Sequence, residues 1–459
     1  MPAPNRLTAL LGVLALSACV TVPPSATPPP PEADRAAQAP VTALAGIARF
    51  PARAAPPPSR GNAAMARDFR DLAFRMESGR TLPVLSRFEG PITVRVAPGA
   101  PPGLTADLDA LITRLRGEAG IDITRTAAPA ASINIETLPR ARLQRVVPQA
   151  ACFVVPRVAS WAEFRRARGS DTLDWTTLIA RERVAVFIPD DVAPQEIRDC
   201  LHEEIGQAIG PLNDLYRLPD SVFNDDNFHA VLTGFDMLIL RAYYDPSLSA
   251  GMSEAEVTAR LPAILDRLNP GGRGRADPVA QPTPRSWVDL IETALGPGTS
   301  PTARRQAAEQ ALAFAQANGW SDTRLGFSYF ALGRLSLGRS TAEAVTAFEQ
   351  ASVIFEAAAP GSIQSAQIDM QLAAFALSAG EWPRALALSR GAQPAAARAE
   401  NAALLATLLM VEAQALDRLG RPDEAAGPRM DSVAWARYGF GSMREVEARL
   451  SEISALAAN

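Results

Sequence analysis

Leu268 to Ser286 reads LNPGGRGRADPVAQPTPRS, and its four prolines and three glycines leave no room for a regular element to pass through. Each proline removes a backbone donor and each glycine costs extra entropy to order, so helices and strands stop on either side. A chain of 459 residues interrupted there folds as separate bodies. A longer break, VTVPPSATPPPPEADRAAQAPVTALAGIARFPARAAPPPSRG from Val20 to Gly61, precedes the first body. Its clustered prolines favour extended polyproline backbone, which is how a spacer behaves. The expected layout is a leader over 1–19, a tether over 20–61, an α/β domain over 62–268, a linker over 269–286 and a helical domain over 287–459.

In the first body MARDFRDLAFRM reads as an amphipathic helix, ITVRV (Ile92 to Val96) as a strand, and LTADLDALITRLRGEAG from Leu104 as a helix with apolar residues three and four apart. SINIETL, CFVVPRV and VAVFIPD read as strands, and a helix follows Pro194. This order predicts an α+β domain, a mixed sheet with helices packed on it. A 47% share of hydrophobic residues is enough for sizeable cores. A net charge of −4 without a basic run excludes a nucleic-acid partner. All 45 basic residues are arginine, so no lysine is present for Schiff-base chemistry.

MPAPNRLTALLGVLALSAC has the build of a signal peptide: Arg6, an apolar run from Leu7 to Leu16 too short to span a bilayer, and small residues before a cysteine. Leu16, Ser17, Ala18 and Cys19 resemble a bacterial lipobox, which implies lipidation of Cys19 as the mature N-terminus. Val20 follows where Asp would argue for inner-membrane retention. The resemblance therefore implies a lipid anchor in the cell envelope, on the periplasmic face of the outer membrane. An ordinary cut near Ala18 is the alternative. Removing Cys19 leaves Cys152 and Cys200, an even pair in an oxidising compartment, and a disulfide between them is expected; two buried free thiols remain the other reading.

From Trp287 to Asn459 the patterning is helical and echoes itself. Gly338, Gly380 and Gly420 each lie seven residues after an alanine (Ala331, Ala373, Ala413) and five or six before another (Ala344, Ala385, Ala425). Small residues there let helices cross closely while glycine ends the first of each pair. The spacing and the short GEWPRA and GRPDEA turns resemble tetratricopeptide-type helical pairs, which implies a protein-binding solenoid. An irregular helical bundle is the alternative.

The most informative segment is CLHEEIGQAIGPLNDLYRLPDSVFNDDN, Cys200 to Asn227. His202 is followed four residues later by Gly206, so it lacks the one-turn partner a zinc helix needs. Shifted by one, EEIGQAIGPLN lies over the metzincin pattern His-Glu-x-x-His-x-x-Gly-x-x-His. Glu203, Gln207 and Asn213 then fall in the ligand places, Glu204 in the catalytic one and Gly210 at the turn glycine. DSVFN from Asp220 resembles the methionine turn of matrixin-type metzincins, with Phe223 in the methionine place, and LTGFDMLILRAYY resembles their closing helix. The chain from His202 to Tyr244 also resembles a family of Gram-negative lipoproteins known as a domain of unknown function, which implies no activity. At about 100° per residue, Cys200, Glu203, Glu204 and Gln207 share one sector, and Ile197, Leu201, Ile205, Ala208 and Ile209 form a separate apolar stripe.

One carboxylate and two amides are weak ligands for zinc, so no cofactor is expected; calcium is the ion that oxygen donors would suit, with Asp214 and the acidic loop nearby. Without a metal, Glu204 is a poor activator of water. The polar residues then read as a hydrogen-bonded cluster tying Asp220, Asn224 and the loop to the helix. His229 is expected on a helix beginning at Asn227, Ser221–His229–Asp225 is a paper triad without supporting context, and exposed aromatics in DLYRLPDSVF suggest a peptide or glycan groove. These readings converge on an envelope lipoprotein that binds or scaffolds, with a protein partner on its helical domain. The alternative is an atypical metal-dependent hydrolase using Glu204 as general base.

Overall fold

The computed structural model describes residues 46–51, 53–148, 150–277 and 281–457, and the chain divides into two units. The leader, Cys19 and most of the proline-rich stretch lie outside the described residues. No described helix is long and apolar enough to cross a membrane.

The first unit is the expected mixed sheet with helices. In chain order it contains α1 (Asn62–Phe74), β1 (Ile92–Val96), α2 (Leu104–Glu118), β2 (Ile123–Arg125), β3 (Ile133–Leu138), α3 (Arg140–Gln144), β4 (Phe153–Pro156), α4 (Trp161–Ala167), β5 (Val184–Pro189), α5 (Pro194–Ile209), α6 (Gly234–Tyr243) and α7 (Glu254–Leu268). The sheet order is β2-β1-β3-β5-β4, with every pairing parallel except β4 against β5. β5 is buried along its whole length, as a central strand must be. Its period of two divides the unit's cores: Val184, Val186 and Ile188 face the large core shared with α2 and α5, whereas Ala185 and Phe187 join Phe153, Trp161 and Phe164 on the other face. The edge strand β2 escapes sequence reading because it is three residues long and buries only Ile123. Helix α4 is announced only by Ser160, whose side chain accepts from Glu163 N–H.

The described end of the proline-rich stretch is packed. Arg60 pairs with Asp68 and Asp220 and lies over the Phe235 ring, 4.0 Å from its centroid. Pro56 O sits so close to Gly234 that a Cβ there would come within 1.7 Å of it, so only glycine can begin α6 under this crossing.

From α8 (Arg285–Leu295), within which the first unit ends at Val288, the chain is helical: α9 (Pro301–Ala317), α10 (Thr323–Ser336), α11 (Thr341–Ala358), α12 (Ile363–Ser378), α13 (Trp382–Arg398), α14 (Ala402–Arg418), α15 (Pro422–Gly439) and α16 (Met443–Ala457) follow in the second unit. Gly338, Gly380 and Gly420 occupy left-handed backbone between α10 and α11, α12 and α13, and α14 and α15, with φ of 77°, 75° and 71°. The six alanines of the echo are buried at the contacts of these pairs. Helix α16 packs on α14, α12 and α15.

Candidate functional site

Helix α5 begins with Pro194 in its first turn, where proline costs no hydrogen bond, and buries the stripe Ile197, Leu201, Ile205, Ala208 and Ile209. Gly206 marks where another side chain comes in. A Cβ on it would lie 2.8 Å from the Phe223 ring and 3.3 Å from Leu232. Phe223, fully buried, therefore stands directly beneath the helix. Gly210 ends α5 for a similar reason, since its missing Cβ leaves room for Leu240 of α6 at 2.7 Å. Substituting Gly206 by alanine should destabilise the unit by roughly 2 kcal/mol despite the better helix propensity, because a fully buried ring must move. Urea denaturation measures it.

The C-terminal end of α5 is held by a residue that sequence reading missed. The Arg181 guanidinium, buried, donates to Gln207 O (2.6 Å), Ala208 O (2.8 Å) and Gly210 O (2.6 Å), and its Nε donates to Ser86 Oγ at 3.3 Å. It also lies over Trp175, 5.2 Å from the ring centroid. These carbonyls are among those a helix leaves unpaired at its end, and an arginine fork satisfies three at once. No local pattern signals it, because Arg181 is far from α5 in sequence.

The N-terminal half of α5 is tied to the segment preceding β4 by the Cys152–Cys200 disulfide, with Cα atoms 6.0 Å apart. This is the pairing expected from cysteine parity. Next to it the carboxyl oxygens of Glu203 and Glu204 and the Cys152 sulfur lie within 4.8 Å of one another. Glu204 is only 3% exposed, and its Oε2 has no hydrogen-bond partner. Gln207 Nε2 donates to Asp214 Oδ2 at 3.2 Å, while Asp214 Oδ1 is unpartnered. A hydrogen bond between carboxyl groups adds Glu77 to Asp214. Glu203 and Glu204 thus meet beside the disulfide, Gln207 joins Asp214, and Glu77, in the turn that follows α1, also reaches Asp214.

Asn213 points away from these residues. Its Nδ2 donates to Asp71 O of α1 at 2.9 Å. Asp220 pairs with Arg60, and its carbonyl accepts from Thr233 Oγ1 at 2.6 Å. Asn224 donates to Leu218 O and Asp226, and Asp236 accepts from Ser221 Oγ, Val222 N–H and Thr233 N–H, so the segment from 211 to 233 is braced by side chains.

Three expectations are corrected here. His229 is not on a helix: the segment from Asn227 is irregular, α6 begins at Gly234, and His229 Nε2 sits 3.0 Å from Pro219 O. Ser221 bonds Asp236, so no Ser221–His229–Asp225 relay forms. Tyr216 and Phe223 are buried and form no exposed groove, because Phe223 packs beneath α5 and the Tyr216 ring meets Trp287 edge-on, 5.1 Å between centroids. His202 is buried as well and accepts from Leu232 N–H through Nδ1 at 3.1 Å. Burial, with Arg198 and Arg114 nearby, holds it well below its ordinary range, so it is neutral.

Burial, with the charge of Glu77 added, pushes Glu203 from 4.5 up to about 7. Glu204 and Asp214 are raised well above their ordinary values, by burial first and then by neighbouring carboxyls. A raised carboxyl means that the folded chain holds protons the unfolded chain has released. Its cost is absent below the unfolded value near 4.5 and grows as pH rises toward 7. The full displacement of Glu203 corresponds to about 3 kcal/mol, of which screening at its mostly buried but not sealed position leaves about 2 kcal/mol. Glu203→Gln should therefore match the parent at pH 4 and exceed its stability by about 2 kcal/mol at pH 8, measured by urea denaturation at both values. His202 acts in the opposite sense. It costs stability as pH falls below 6.5, where the unfolded imidazole takes up a proton the folded one refuses. Taking the difference between variant and parent removes that contribution.

The group does not suit zinc. It contains no imidazole, and its one sulfur is committed to a disulfide rather than free as thiolate.

Residues 62–263 match the profile of a family described as protein of unknown function (DUF2927). No curated protein matches the chain.

Proposed function

We propose that this chain is a lipid-anchored envelope protein that binds or scaffolds. Its first unit is a metzincin-like domain in which oxygen-bearing side chains replace the zinc ligands, and its helical unit receives a protein partner. The observation that carries the reading is the engagement of the former ligand places. Gln207 bonds Asp214, Asn213 bonds Asp71 O, and Phe223 packs where Gly206 leaves room. The mixed sheet with one antiparallel edge strand, and Gly210 closing α5, support the metzincin likeness. The glycine-ended helical pairs support the tetratricopeptide likeness, and an open depression of about 520 Å³, lined by Tyr329, Leu332, Glu343 and Thr346 among others, lies on α10 and α11.

The hydrolase reading needs Glu204 as an ionised base near neutral pH. Burial and the neighbouring carboxyls favour its protonated form, which is unsuited to that role. Zinc analysis and peptide hydrolysis by the purified protein decide between the readings. Scaffolding predicts no bound zinc and no hydrolysis that depends on Glu204. Stoichiometric zinc lost on Glu203→Ala, with hydrolysis abolished by Glu204→Ala, would overturn it. The anchor is tested separately: Cys19→Ala should release the protein from the membrane pellet.

A further inference from the structure

Between Pro139 and Arg183 the chain carries nine arginines against four acidic residues, although its net charge is −4. The fold gathers part of this excess on one side of the first unit. Helices α3 and α4 pack on the sheet face opposite α2 and α5, where Leu143, Trp161 and Phe164 join Phe153 and Phe187 in the smaller core. The Arg142 guanidinium lies over the Trp161 ring, 6.0 Å from its centroid, so the two helices are neighbours. With the larger apolar side chains turned inward, Arg142, Arg145, Arg165, Arg166 and Arg168 are left exposed on and just after them. None of the five forms an ion pair with a described residue. The nearby acids are engaged elsewhere. Glu163 pairs with Arg183, Asp174 pairs with Arg80, Glu136 accepts from Trp161 N–H, and Asp191 accepts from Arg140 N–H. Asp171 and Glu182 are the remaining acids of the stretch, too few to balance five arginines.

We infer that α3 and α4 form a surface that lies on an anionic bilayer, with these guanidiniums taking the phosphates of lipid headgroups. Packing on an aromatic core fixes the backbone beneath them, and each guanidinium presents a planar fork of donors that matches phosphate oxygens. Two observations favour a membrane over a protein partner. A protein interface is anchored by aromatic or aliphatic side chains, and the large apolar residues exposed among the described ones, Ile47, Ile179, Val353 and Met430, all lie outside α3 and α4. Like charge spread over two adjacent helices also suits a plane of headgroups. Charge alone holds a protein to lipid weakly, so the biological use of this surface rests on the lipid-anchored reading, whereas its affinity for headgroups does not.

The test uses the whole protein with vesicles of phosphatidylcholine, alone or with about 40% phosphatidylglycerol, and maps arginine modification by phenylglyoxal with mass spectrometry. Sedimentation with the neutral vesicles reports the anchor and the modification pattern reports the surface, so the two readings fail separately. Phosphatidylglycerol should slow modification of Arg145, Arg165, Arg166 and Arg168 by about tenfold, and salt at about 300 mM should abolish that protection. Arg116, Arg125 and Arg241, carried by α2, β2 and α6, should be modified at the same rate on both vesicles. Arg165→Gln combined with Arg166→Gln should remove more than half of the protection at Arg168. Both side chains are exposed and unpaired, so this variant should fold, and an unchanged far-UV circular dichroism verifies it. Equal modification of the parent on both vesicles would overturn the surface. So would protection that extends equally to Arg116 and Arg125. Soluble polyglutamate protecting the same arginines better than the anionic vesicles would assign the face to an acidic protein and overturn the membrane.

Discussion

Replacing Arg181 by methionine is expected to lower the stability of the first unit by about 4 kcal/mol and its melting temperature by roughly 10 °C. Methionine fills much of the volume but leaves the carbonyls of Gln207, Ala208 and Gly210 without the donor that serves them in the interior. Arg181→Lys keeps the charge but has no planar fork and reaches fewer carbonyls, so it should recover less than half of the loss. Hydrogen exchange localises the effect. Amides in the last turn of α5 should exchange faster in both variants, and those in β5 should change only to the extent that global stability falls. Unaltered protection at the end of α5 in Arg181→Met would show that the fork is dispensable.

The second large effect is expected from the disulfide. Cys152 and Cys200 are 48 residues apart, and closing a loop of that length restricts the unfolded chain by about 4 kcal/mol in the chain-entropy account. Serine at both positions should cost about 3 kcal/mol, and reduction of the parent should reproduce most of it. Cys200 and the carbonyls gripped by Arg181 lie at different places along α5, roughly 10 to 15 Å apart by helical rise, so the two losses should add to within about 0.5 kcal/mol. A clear shortfall from additivity would mean that α5 loosens as a whole once either end is freed.

The parts of this molecule that were legible in sequence are those written in local pattern. The short continuous apolar run of VAVFIPD gives β5, the three-and-four spacing of Ile197, Leu201, Ile205, Ala208 and Ile209 gives the buried stripe of α5, and the repeated glycines give the helical turns. Parity of cysteines gave the disulfide its partners. What could not be read depends on long-range contact. Glu77 reaches Asp214 across most of the first unit's sequence, Arg181 serves carbonyls beyond an intervening strand, and Asn213 turns to α1 because an unpaired carbonyl awaits it there. His229 falls outside the helix because the Thr233 and Asp236 capping box starts α6 at Gly234, later than the apolar pattern from Asn227 predicts. The polar neighbours of Tyr216 and Phe223 predict surface positions, but both rings turn inward.

The ring beneath Gly206 also restricts where this protein can go by mutation. A histidine at 206 would give His202 the partner one turn away that a zinc helix requires, but it would drive its side chain into Phe223 and Leu232. His202 itself is already spent on the Leu232 amide. A histidine at 206, which takes at least two base changes from any glycine codon, would thus carry its packing cost before any metal could offset it. One phenylalanine ring thus bars the two-imidazole spacing at this turn of the helix.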